Sequence, residues 1–142
     1  MRRETRSGGN VDLTKIKVIF EDFLSSSPEK KAKIIAEDLL KVSQWIKTEK
    51  TTKHQVRKYY HYFLDILESS VDEDSFKKKL PKIAIANSYI QYDKARKTIG
   101  RVFATFVEEF VKRALNTNRE GFKELLMLFE AFVGYTSYKN NG

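Results

Sequence analysis

Residues 99–115 read IGRVFATFVEEFVKRAL, and their apolar spacing decides the fold. Ile99, Val102, Phe103, Phe106, Phe110 and Val111 recur at steps of three and four, which is one face of a helix and not the alternation of a strand. Charged residues Arg101, Glu108, Glu109 and Lys112 take the remaining positions. Asn116-Thr117-Asn118 ends the stripe, and Phe122, Leu125, Leu126, Phe129, Phe132 and Val133 begin another.

Toward the N-terminus the same period continues. No glycine stands between Val11 and Ile99, and Pro28 and Pro81 are the only prolines, so hairpins lack their usual punctuation. Ile16, Ile19, Phe20 and Phe23 form one stripe, with Asp12 as its cap. Ser27-Pro28-Glu29 opens a second helix carrying Ile35, Leu39, Val42 and Ile46. Thr52 and Gln55 have the spacing of a capping box, and Val56, Tyr60, Phe63 and Leu67 follow on one face. Asp72-Glu73-Asp74 places negative charge at the start of a helix with Phe76, Leu80, Ile83 and Ile90, which Pro81 should kink or break. The sequence thus predicts an all-α, compact bundle of five or six helices in a single domain. Residues 11–142 form it, and residues 1–10 (MRRETRSGGN) read as a flexible basic N-terminal arm.

With 142 residues, 41% apolar and 13% aromatic, the chain can fill one core. The absence of cysteine excludes disulfides, thiolate metal sites and thiol nucleophiles. No apolar run has the roughly 18 residues of a membrane span, and the N-terminus lacks the apolar stretch of a secretory signal. The expected compartment is therefore the cytoplasm. The net charge is +8, and nearly all of the excess falls in residues 41–101, which hold 14 basic and 7 acidic side chains. A positive field confined to one region is what a polyanion would meet, although a merely solubilising surface has the same charge.

A cation with an acid three or four residues away on its helix is an ordinary surface pair. Glu108 with Lys112 and Glu109 with Arg113 fit that description, as do the positions of Lys33, Lys41, Lys77, Lys78, Arg96 and Lys97. Lys47, Arg57, Lys58, Lys79, Lys82, Lys94 and Arg101 lack such an acid, and Lys53 has only Glu49 across the cap. From these come the candidate nucleic-acid-binding residues: Lys53, Arg57, Lys58, Lys82, Lys94 and Arg101. Arg57, His54 and His61 share the polar face of the third helix, with Lys58 beside them.

Tyr59, Tyr60 and Tyr62 raise the alternative of base stacking, but the helical period puts Tyr60 with the core, Tyr59 at its margin and only Tyr62 well away. The two histidines are two turns apart, so a shared metal ion is not expected. Arg57 and His61 resemble the Arg…His pairs of helical endoribonucleases of the HEPN type, but with a shorter interval. No nucleophile elbow, Walker loop or His-Glu-x-x-His motif is present. The reading is of a protein that is not an enzyme and needs no cofactor.

Three stretches carry a resemblance. TKHQVRKYY (residues 52–60) resembles the Thr-x-x-Gln-(apolar)-Arg-(basic)-(aromatic) segment of the Csm small-subunit family, from type III-A CRISPR interference complexes. LPKIA (residues 80–84) is similar to that family's Pro-Lys-(apolar)-Ala segment. Residues 122–138, with FEAFVGY at 129–135, are similar to its C-terminal helix. Ile85 and Tyr89 stand where the family often has tyrosine and arginine, and Thr136-Ser137 stand where it has His-Lys. Contacts of those family residues therefore do not transfer, whereas Gln55, Arg57 and Lys82 do.

The resemblance implies a non-catalytic helical subunit of an antiviral ribonucleoprotein. It would contact target RNA and the guide–target duplex through phosphates, without reading sequence. Its partners would be guide RNA and target RNA, the backbone and large subunits, and neighbouring copies of itself, with no membrane. A type III-B small subunit and a helical protein–protein adaptor are the alternatives.

Overall fold

The computed structural model describes residues 11–137, so the basic arm expected at residues 1–10 lies outside the described residues. Among the described residues all regular structure is helical, as the apolar periods predict. α1 (Leu13–Phe23) starts at Asp12, whose carboxylate accepts the Thr14 N–H at 3.1 Å. α2 (Pro28–Lys33) has Ser27 as its cap and Pro28 in its first turn, where a missing donor costs nothing.

α2 runs without interruption through a π-turn (Ile34–Asp38) into α3 (Leu39–Gln44) and a 3₁₀ turn (Trp45–Thr48). The widened turn advances the apolar phase by one residue. Ile34 is therefore buried, while Ile35, expected in the stripe, is only half-buried. The Tyr135 hydroxyl donates to the Ile35 carbonyl at 2.9 Å across the bundle.

α4 (Lys53–Glu68) begins at Thr52, whose hydroxyl accepts the Gln55 N–H at 3.2 Å. Only this half of the expected capping box forms, because Gln55 Oε1 is buried without a partner. A complete box stands instead before α5 (Glu73–Lys78), between Asp72 and Ser75. The expected break falls at Lys79, and Pro81 lies in the first turn of α6 (Leu80–Ala84), where it removes no helical bond. A second irregularity at Ile85 separates α6 from α7 (Ala86–Ala95). These breaks divide the single helix expected across this region.

α8 (Arg101–Ala114) and α9 (Arg119–Thr136) form the centre. α8 packs on α1 and α7, and α9 on α3 and α4. Lys31 of α2 pairs with Glu124 of α9 at 2.6 Å, tying the outer rod to the centre. All ten phenylalanines are buried. Phe106 stacks on Phe132 at 4.1 Å and meets Phe129 edge-on at 5.1 Å. The aromatic rows of the last two helices are thus core, each ring worth about 1.5–3 kcal/mol of burial.

Candidate nucleic-acid interface

The buried side of α4 comprises Val56, Tyr59, Phe63, Ile66 and Leu67. The core therefore takes Tyr59, while Tyr60 is half-buried, reversing the order expected from an ideal helical wheel. Opposite that side, His54, Arg57 and His61 are exposed together. The Arg57 side chain has no hydrogen bond or ion pair to any described residue. Lys53 is half-buried at the first position of the helix.

Lys58 corrects the intrahelical filter. Its ammonium lies 3.0 Å from Asp93 Oδ2 of α7, a partner 35 residues away in sequence. The side chain keeps 48% exposure, against 11% for Asp93. The same Oδ2 accepts the Tyr59 hydroxyl at 2.6 Å. Burial works to raise the Asp93 carboxyl, but the hydrogen bonds from Tyr59 and Lys58, with the charges of Lys58 and Arg96, outweigh it and hold Asp93 below the usual carboxylate range. Burial, and the carboxylate it donates to, push the Tyr59 phenol far above its ordinary value.

Arg96 is the converse case. Asp93, three residues before it, led the filter to discount it, yet that carboxylate is taken up across the helices by Lys58 and Tyr59. The Arg96 guanidinium instead lies over the Tyr92 ring at 5.4 Å, with Nη1 3.3 Å from its hydroxyl. Neither of the two pairs expected on α8 forms. Glu108 accepts from Gln91 at 2.6 Å, and Glu109 Oε1 and Arg113 Nε are buried without partners.

Lys82 is exposed on α6, and its backbone carbonyl accepts the Tyr62 hydroxyl at 2.6 Å, which fixes α6 against α4. Arg101 is exposed at the first position of α8. Beside it the Glu49 carboxylate accepts the N–H groups of Val102 at 2.9 Å and Phe103 at 3.1 Å, so a carboxylate already occupies that helix N-terminus. Thr51 Oγ1 accepts the Gly100 N–H at 2.7 Å, which draws the starts of α4 and α8 together and sets Lys53 and Arg101 at one end of the bundle.

Lys53, Lys58 and Tyr62, the last bound to the Lys82 carbonyl, are then spread over ten residues of α4, roughly 14 Å of helix from first to last. Lys94 lies apart from this row. On α7, Tyr89, Tyr92 and Arg96 occupy one flank, whereas Lys94 shares the other with Gln91, which bonds to α8. Sequence reasoning missed Tyr89, Tyr92 and Arg96, although their spacing of three and four residues marks one helix face.

Among the described residues, no group of three or more histidine and carboxylate side chains stands ready to hold a metal ion. No described helix is long and apolar enough to cross a membrane. A family model described as Csm2 Type III-A matches residues 29–141 of the chain, from α2 through the last described helix. No curated protein and no solved structure matched it.

Proposed function

The chain belongs to the Csm2 family, the small subunit of the type III-A Csm complex, and from that premise we propose that it binds target RNA and the guide–target duplex through phosphate contacts without catalysing a reaction. What supports the reading is that Arg57, Lys82 and Arg101 all stand exposed at the surface. Arg57 and Lys82 have no acidic partner among the described residues, and Lys53 and Arg101 gather at the end where α4 and α8 begin. Such groups meet the sugar-phosphate chain whatever its sequence, because phosphates carry no base information.

The side chains that could serve acid–base chemistry support a binding role. His54 and His61 are exposed, and the buried Asp93 carboxylate is held by Tyr59 and Lys58. Within the Csm complex the proposed partners are guide RNA, target RNA, the backbone and large subunits and neighbouring copies of the same chain, in the cytoplasm. Residues 1–10, with three arginines, would add to the positive field.

Titration of the full chain with two RNAs of equal length and unrelated sequence, over a salt series, tests the proposal. Equal affinities that fall steeply with salt are expected. Affinity independent of both salt and RNA length overturns the reading and leaves the adaptor.

A further inference from the structure

A cleft of about 400 Å³ opens between α4 and α7. Its floor is the buried pair Tyr59–Asp93. Tyr62, Tyr89 and Tyr92 line it, and Lys58 and Arg96 stand at its edges. Tyr89 is 44% and Tyr92 61% exposed, two large side chains left open to solvent. An aromatic cluster left open to water beside two cations is not explained by the core, which is complete without it.

We infer that this cleft takes one unpaired base of single-stranded RNA, stacked on the tyrosine rings, while Arg96 and Lys58 face the phosphates on either side of it. The inference rests on the RNA-binding reading and adds a requirement that phosphate contacts do not impose: the base must be free of its duplex, where both of its faces are covered.

Three features prepare the cleft for such a ligand. Tyr62 is held by its bond to the Lys82 carbonyl and by an edge-to-face contact with Tyr89, with centroids 5.8 Å apart at 86°. Arg96 is held over Tyr92. The Asp93 carboxylate, already engaged by Tyr59 and Lys58, fixes the floor. Rings fixed before binding lose little rotamer freedom when a base stacks on them. Lys58 remains half exposed while paired, so its ammonium still reaches the rim. Stacking on an aromatic ring accepts any base, in keeping with binding that ignores sequence.

The test compares the full chain's affinity for a single-stranded RNA, the same strand in a duplex, and an oligomer of equal phosphate count whose riboses carry no bases. The single strand should bind roughly 5- to 150-fold more tightly than the abasic oligomer. The variant Tyr89→Ala, which leaves Arg96 on Tyr92, should lose much of that advantage while keeping the abasic affinity. Tyr89 is exposed, so the fold should survive, as circular dichroism would confirm. Equal binding of single strand and abasic oligomer by the parent chain overturns the stacking site and leaves the phosphate reading standing. If the parent chain binds none of the three at low salt, both readings fall.

Discussion

The Tyr59 phenol and the Lys58 ammonium converge on one oxygen, Asp93 Oδ2, at 2.6 Å and 3.0 Å. One carboxylate thus satisfies a buried hydroxyl and half-neutralises a surface cation. Asp93→Asn separates the two roles, since an amide oxygen still accepts from Tyr59 but no longer holds Lys58 by charge. The fold should lose about 1 kcal/mol, read as a lower urea midpoint at unchanged slope. RNA affinity should rise, with a salt slope steeper by about one unit as Lys58 is released. An affinity that falls would show that Asp93 orders the cleft more than it restrains Lys58.

The same carboxylate predicts how stability depends on acid. Its folded pKa is lowered, chiefly by the Tyr59 and Lys58 hydrogen bonds acting against burial. The folded state therefore binds this proton less readily than the unfolded chain. Its contribution is fully present above the unfolded value, near pH 4, and is lost as pH falls through the lower folded value. Stability curves of parent and Asp93→Asn should run parallel from pH 7 to about 5 and converge below about 4. Parallel curves down to pH 2 would remove Asp93 as the cause.

Gly100 is required by space and not by backbone freedom. A Cβ there would collide with the Glu49 side chain, whose carboxylate caps α8 at Val102 and Phe103. Gly100→Ala should displace that cap and cost about 1–2 kcal/mol, the usual worth of a helix N-cap. Urea unfolding measures it, and a neutral result would mean that Glu49 can turn aside and still cap the helix.

Lys97 is the one non-glycine residue with positive φ among the described residues, at 63°. The left-handed region costs a side chain about 1 kcal/mol, part of which the freer unfolded glycine chain offsets. Lys97→Gly should raise the melting temperature by roughly 2 °C.

What the sequence disclosed, and what it hid, follows from the range of each signal. Apolar spacing is local, so the stripes of α1, α4, α8 and α9 were legible. The charge filter is equally local, and Asp93 defeats it twice. Its partner Lys58 lies across the bundle, so Lys58 looked free, while Arg96 looked paired to an acid already engaged elsewhere. The π-turn at Ile34–Asp38 shifts the phase of a stripe for a reason visible only in three dimensions, where Tyr135 reaches the Ile35 carbonyl. Tyr59 takes the core position because Phe103 of α8 and Asp93 of α7 enclose it, contacts that no period along α4 records.

Arg57 on α4 and Lys82 on α6 make the sharpest demand on the candidate cations. Arg57 and Lys82 are exposed, and neither is engaged by an acid among the described residues, so each should contribute a full counterion to RNA binding. Arg57→Ala and Lys82→Ala should each weaken binding by a similar factor for unrelated RNA sequences and lower the salt slope by about one unit. Their effects should add when combined if each side chain meets a phosphate of its own, as the proposal requires. Lys94→Ala, on the flank of α7 turned toward α8, should change the slope less. Measuring the three single variants and the Arg57/Lys82 pair at several salt concentrations decides the path of the RNA. A slope that drops for Lys94→Ala and holds for Lys82→Ala would carry that path across α7 and α8 instead.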